Sequence, residues 1–514
     1  MAEPLRCVSP ESVITGWDFS TGAVKCLAFD LDGNTLAEVR LPTDLWTEGG
    51  VSELNLMQLE GQARASVRAI ARRLRELKRL KHWVAGGISA THHTAGRIDA
   101  DCVQVRRAIC WNDQTLAEYH ARGLARLGGQ EKVKKLIGGP WAIRYTLSHL
   151  VKDEVCLPAD DWKRTALIVQ HGALAAGYLT GCFTVVSVSA AASTGMMNLK
   201  TCKWSKPMLG ALENKEYRRL AWNCLPRIVD WREPVGELSP HLTEAVGGDL
   251  KQRPLIFPTS DDQQAGLIGG GAVDVGQMAV ILGNSAVVNS SSRQPLGDGN
   301  LDLMRLNWGP YLWMRCYNNG AQFLDRVVGP RPDWLQLEKE ARAVPPGCDG
   351  TTVLPFVLPE PSLGVKAACC RWSPAEPPEP GKRFRAALEA LAYLIALGVR
   401  EHERAGQKIT RITVSGGIAR SDLMCQILAS VLDRPLVRLA SFEGPALGAA
   451  VTALAALEMY LRRKRRIRAA FTLADAVERM VKFRDQVAPE PAWRDGYREG
   501  LRKFEQSLPG TEPA

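Results

Sequence analysis

Two similar openings constrain this chain more than any other feature. Residues 13–30, VITGWDFSTGAVKCLAFD, read as two apolar strands joined by a tight turn of serine, threonine and glycine. Residues 277–291, QMAVILGNSAVVNSS, read the same way, with glycine, asparagine and serine in the turn. Turns of this composition aim successive backbone N–H groups into one concavity, which suits phosphate oxygens. A chain that opens each half this way is expected to form two related α/β domains. They are placed at 1–253 and 254–514, with the change after a turn at Gly247-Gly248.

The segments between fit that plan. A third strand follows a turn at Asp32-Gly33-Asn34. A helix is expected over about 55–81, its apolar face marked by Leu59, Ala63, Val67, Ile70, Leu74 and Leu77. WVAGGIS (83–89) reads as a buried strand and 115–180 as mostly helical. PLIFPTS (254–260) should begin the second set of strands. Later come a long helix (383–406), the strand ITRITVSGG, a helix at 421–433, the strand PLVRLA and an apolar helix from 444. At 514 residues the chain is too long for one core, and 46 glycines suit tight turns near ligands.

Charge and cysteine usage narrow the partners. A net charge of +10 and a pI near 9.0 suit nucleic acid or a phosphorylated small molecule. The basic residues, however, lie mostly on helix faces opposite an apolar stripe. LRRKRRIR (461–468) has no interleaved aromatic residues, so it reads as a solvated helix end and no nucleic-acid partner is expected. Thirteen cysteines form no CxxC pair and no zinc-spaced array, which fits reduced thiols in a cytoplasmic protein. MAEPLRCVSPES lacks the apolar core of a secretory signal. GPALGAAVTALAAL (444–457) reads as a buried helix rather than a membrane span. A monomer or homodimer with no membrane partner is expected.

Several stretches carry chemistry. GWDFSTGAVK puts Asp18 at a strand end, where it could hold Mg²⁺ through water while the turn amides and Lys25 meet phosphate. An ordinary hairpin with an Asp-Ser turn has the same pattern. VSGGIARSDLMCQILASVL (414–432) is strand, Gly-Gly turn and helix. It would let backbone approach a flat base or ribose, or it is a plain turn capped by Ser421; it is not GxGxxG. ISATHHTAGRIDA carries His92-His93 with no further ligand at metal spacing, so binding of hydroxyls fits better than binding of metal. In CWNDQT, Trp111 and Asp113 offer a sugar a flat face and a bidentate acceptor, or are a core tryptophan and a helix cap. SDDQQAGLIGGG sets two acids before a glycine run: either a cap, or a carboxylate at a cleft mouth ready to take a proton.

Taken in order, these stretches resemble the FGGY carbohydrate kinases from about residue 13 to 505. GWDFST is similar to the opening phosphate loop of the eukaryotic-type xylulose kinases, and ISATHHTAGRID to the family's ISGQxHG…D sugar loop, with His93 in the histidine's place. WNDQT matches the W-x-D sugar segment. SDDQQAGLIGGGAVDVG resembles G-D-N/Q-x-A…G…G, with Asp262 at the catalytic base and Asp261 where the family has glycine. LGNSAVV resembles the second phosphate loop, and SGGIARSDLMCQILASVLDRPLVRLASFEGPALGAA the adenosine segment. The sequence departs from the pattern at Thr115 (arginine in many bacterial members), Ala90 and Thr94 (glycines), Asn284 (threonine) and SVSAAASTG, where alanine replaces a sugar-contacting aspartate.

The resemblance implies an actin-like ATPase architecture, two ribonuclease-H-like domains with an interdomain cleft. It implies ATP and Mg²⁺. Asp18 (to Mg²⁺, through water), Ser20, Thr21 and Lys25 would face the phosphates, with Gly283, Asn284 and Ser285 opposite. Gly416, Gly417 and Ala419 would border adenosine. His93, Trp111, Asp113, Asp262 and Gln263 would line a sugar or polyol site. The implied reaction is phosphorylation of D-xylulose at a hydroxyl. The alternatives are a kinase for another ketose or polyol (ribulose, glycerol), or a non-catalytic sugar- or nucleotide-binding member.

Overall fold

A computed structural model describes residues 3–247, 250, 252–258, 260–296, 301–441 and 443–509. Gly248, part of the expected interdomain turn, lies outside them. Each half is built on a seven-stranded sheet. In the first, β1 (Val13–Phe19), β2 (Ala23–Phe29) and β3 (Thr35–Pro42) form an antiparallel meander. β4 (Trp83–Ala90) adds parallel to β1. β5 (Gly236–Glu237), β6 (Leu255–Ile256) and β7 (Ser260–Asp261) complete it, β6 and β7 both running parallel to β4.

In the second sheet, β8 (Gln277–Leu282) and β9 (Ala286–Ser292) are the hairpin. β10 (Asp302–Arg305) and β11 (Tyr311–Tyr317) extend its antiparallel side. β12 (Arg411–Ser415) and β13 (Leu436–Leu439) add on the parallel side, and β14 (Phe483–Val487) closes that edge. Both sheets thus share one order: a hairpin, a third antiparallel strand outside its second arm, and parallel strands beside its first. This is the ribonuclease-H-like arrangement, twice over. Strand burial follows: β1 is buried along its whole length, whereas β3, at the sheet edge, alternates.

Two expectations need correcting. The division at 253/254 cuts through the first sheet, because β6 and β7 pair with β4; the chain reaches the second sheet only at β8. The first helix, α1 (Leu56–Glu76), buries Leu59, Ala63, Val67, Ile70 and Leu74, and its Ser66 accepts the Trp17 indole N–H at 3.0 Å. It stops before 81, and Leu77 is its exposed C-cap.

Three further helices frame the site: α2 (Asp262–Gly269), α3 (Pro380–Arg404) and α4 (Gly444–Lys464). α3 is the long apolar helix that packs on the second sheet. α2 leaves the first sheet and leads into the second. α4 leaves the second and packs back on β1 and β4 of the first. α2 and α4 cross backbone to backbone. A Cβ at Gly448 would stand 1.9 Å from the Ala265 carbonyl oxygen, one at Gly269 1.9 Å from that of Gly444, and one at Gly16 in β1 1.8 Å from that of Ala446. The alanine and glycine of α4 therefore serve close packing. By length and composition α4 could cross a bilayer, but here it is mostly buried within the protein. The basic run at its end is only partly solvated. Arg462 is buried, donating to Glu458 at 2.7 Å and to the Pro4 carbonyl at 2.6 Å.

Because the neighbour at Gly448 is backbone and cannot swing away, Gly448→Ala should cost about 1–3 kcal/mol of stability or more. Gly61→Ala on α1, where nothing lies within 4 Å, should be neutral or stabilising by about 0.5–1 kcal/mol. Urea unfolding of both variants checks the contrast.

Candidate active site

Parallel pairing brings the carboxyl ends of β4 and β7 side by side, Ser89 against Ser260 and Ala90 against Asp261. α2 starts at the next residue, so its two acids have different surroundings. Asp261 is the N-cap: Oδ1 accepts from the Gln264 N–H at 2.8 Å, and Oδ2 accepts the Ser189 hydroxyl. Its carboxylate is used up within the turn. Asp262 lines a cleft of about 910 Å³ between the two sheets. Its Oδ1 accepts from the His92 N–H at 3.3 Å and from Gln263 Nε2 at 3.4 Å, and Gln263 Oε1 accepts in turn from Asn289 Nδ2 at 3.0 Å.

Burial pushes the Asp262 carboxyl well above the usual range, and the negative charges of Asp261 and Asp18 push it further. Asp18, beneath the first hairpin turn, is pushed up to about 6, chiefly by burial. Lys25, with Nζ 4.0 Å away, and the Ser89 hydroxyl, at 3.1 Å, only partly offset this. The carboxylates of Asp261 and Asp262 and a ring nitrogen of His92 lie within 4.8 Å of one another, a group that could hold a metal ion.

Ser20, Thr21 and Lys25 line the cleft, as do Gly283, Asn284 and Ser285 of the second turn and Gly416 and Gly417. Gly416 adopts φ +97°, and a Cβ there would stand 2.3 Å from the Leu282 carbonyl oxygen, so only glycine fits. His93, Trp111 and Gln263 line the same space as Asp262. The His93 ring is sandwiched between His92 (centroids 3.9 Å apart) and Tyr145 (4.4 Å). Burial holds it neutral, and its Nδ1 lies 2.8 Å from the Ser193 carbonyl. A carbonyl only accepts, so Nδ1 carries the proton and Nε2 is left as an acceptor, without a protein partner among the described residues.

Asp18, Asp113 and Ala419 do not line the cleft. Asp113 is wholly buried, taken up by Lys152 Nζ at 2.9 Å and by the Thr115 N–H at 2.8 Å and hydroxyl at 2.5 Å. Ala419 turns into the second core, and Ile418 and Arg420 face the cleft in its place.

Other lining residues belong to no motif. Trp334 and Phe384, 5.9 Å apart, stand with Leu388 and Ile418 in an apolar wall near Gly416-Gly417. They come from separate helices, and no local pattern links them. Glu443, just before α4, accepts from Lys25 Nζ at 2.6 Å. Arg144, paired with Asp302, lines the sugar-loop end, and Arg40 lines the first turn. A bulge between Ala28 and Phe29 shifts the register by one, so counting outward from the turn at Gly33 does not reveal that Arg40 stands opposite Lys25.

Two ribonuclease-H-like domains with phosphate-type turns facing one cleft, and a desolvated carboxylate between them, define a phosphotransferase. The chain belongs to the FGGY family of carbohydrate kinases: the family's N-terminal domain matches residues 13–269 and its C-terminal domain residues 330–457. A xylulose kinase from Bacillus subtilis (strain 168) is 23% identical over 458 residues, covering 86% of this chain and 87% of that protein. A glycerol kinase from Geobacter sp. (strain M21) is 26% identical over 479 residues, covering 85% and 88%. The solved structure of a ligand-bound xylulose kinase from Lactobacillus acidophilus superposes with a TM-score of 0.82 at 18% identity, covering 96% of this chain and 97% of that one, a likeness of fold.

The raised Asp18 pKa has a consequence for stability. Between its ordinary value of 3.8 and about 6, the folded chain holds a proton that the unfolded chain has released, so stability falls as pH rises through that window. Asp18→Asn should therefore be more stable than wild type at about pH 7.5, by up to about 3 kcal/mol, with the difference fading below about pH 4. Chemical denaturation at the two pH values tests the sign.

Proposed function

We propose that this sugar kinase transfers the γ-phosphoryl group of ATP to a hydroxyl of D-xylulose, giving D-xylulose 5-phosphate, with Asp262 as the general base. The single observation behind this is the division of labour between adjacent acids: Asp261 is consumed as a cap, while Asp262 stands desolvated in the cleft. A raised pKa makes the Asp262 carboxylate a stronger base toward a hydroxyl proton than an ordinary carboxylate. As the sugar oxygen bonds to the γ-phosphorus, the bond to the bridging oxygen breaks, ADP leaves, and the alcohol proton passes to Asp262.

The amides of the turns at Ser20–Gly22 and Gly283–Ser285 would hold the phosphate chain from both sheets. The wall at Trp334, Phe384 and Gly416 would receive adenine. Mg²⁺ fits beside Asp18, held through water, where it would neutralise phosphate charge. His93 Nε2 would accept a sugar hydroxyl, and Trp111 would cover an apolar face of the sugar. The choice of xylulose follows the opening loop, the sugar-loop length and the xylulose kinases among the relatives. Because Asp113 is withdrawn from the cleft and alanine replaces the second sugar aspartate, a kinase for another ketose or a polyol is the second reading.

Turnover should be highest with D-xylulose in a coupled ADP-release assay over pentuloses, polyols and glycerol. Asp262→Asn should cut that turnover by about 10²–10⁴ while leaving ATP binding nearly intact. Near-normal turnover in the variant would move the base elsewhere. ATP binding without turnover on any sugar would make the chain a non-catalytic member.

A further inference from the structure

We propose that Arg40, not Lys25, is the cation that meets the terminal phosphate of the nucleotide; this rests on the kinase reading above. Strand register pairs Lys25 in β2 directly with Arg40 in β3, so both side chains leave one face of the sheet, and both line the cleft beside the first turn. Lys25 is the cation of the turn motif, but its charge is already engaged. Its Nζ donates to Glu443 Oε2 at 2.6 Å and lies 4.0 Å from Asp18 Oδ2. A phosphate approaching that ammonium also approaches two carboxylates.

Arg40 has no such counter-charge. Among the described residues no carboxylate pairs with it and no hydrogen bond holds its guanidinium. Its partner in register, Lys25, stands 4.0 Å from Asp18 beside the first turn. Arg40 therefore belongs to the base end of the cleft, where the transferred group passes, and not to the apolar wall across the gap at Trp334 and Phe384. An exposed strand arginine is ordinarily a solvated surface group. Three facts set this one apart: its position in the cleft, its register with an already neutralised lysine, and its unspent charge. A guanidinium also offers a planar fork that can bond two oxygens of one phosphate.

Calorimetric titration of ATP and of ADP without sugar, on wild type, Arg40→Gln and Arg40→Lys, tests this directly. Arg40→Gln should weaken ATP about tenfold or more while changing ADP less than about threefold, and should lower kcat about 10²-fold with the sugar KM unchanged. Arg40→Lys should recover part of both losses. Because the side chain is exposed and has no protein partner, unfolding midpoints should match wild type. Equal weakening of ATP and ADP, or wild-type kcat in Arg40→Gln, would return Arg40 to the solvated surface. Failure of the wild-type protein to bind either nucleotide would instead overturn the kinase reading, and this assignment with it.

Discussion

The crossing of α2 and α4 is the contact on which the rest of the molecule depends. Each helix links one sheet to the other, and the two meet through glycine and alanine with no side chain between them. Both begin at the cleft. Asp262 is the first residue of α2, while Glu443, which holds Lys25, immediately precedes α4. The crossing therefore fixes how far the carboxylate of one helix stands from the first turn that the other helix braces. A side chain at Gly448 or Gly269 would wedge the helices apart and move those two carboxylates relative to one another.

The electrostatics of the cleft are strained by design of the same crossing. Asp262 and Glu443 line the cleft, Asp18 and Asp261 lie buried behind it, and Lys25 reaches only Asp18 and Glu443. Two of these carboxyls pay for their place in raised pKa values. Such unrelieved charge costs stability in the unliganded protein, and groups perturbed in this way cluster at functional sites. The N-termini of α2 and α4 both open on this space, and their positive ends favour phosphate there.

Much of this was legible because its causes are local. A hairpin with a glycine-rich turn declares itself within ten or so residues, and so do the cap at Asp261 and the left-handed glycine at 416. What the sequence hid depends on partners distant along the chain. Asp113 lies two residues from Trp111, which lines the cleft, yet Lys152, on a helix further along the chain, draws its carboxylate inward. Ala419 sits in the adenosine segment, but one short turn rotates it into the core. The boundary at 253/254 failed because two-residue strands give no periodicity to detect, and only their pairing with β4 shows which sheet they join. Trp334 and Phe384 meet across separate helices, and a one-dimensional pattern carries no trace of that.

The sugar end of the cleft follows a different logic from the phosphate end. Asp113 is withdrawn from this end of the cleft, which His92, His93, Trp111 and Arg144 line together with Asp262. His92 Nδ1 and Nε2, His93 Nε2 and the Tyr145 hydroxyl are all buried without a hydrogen-bond partner among the described residues. Burial pushes His92 down to about 4 and His93 well below its ordinary range, so both imidazoles stay neutral across physiological pH. Buried polar atoms left unpaired cost about 1–3 kcal/mol each, and a ligand that supplies the missing partners removes that cost. The histidine stack is held in place by the Ser193 carbonyl and the Tyr145 ring.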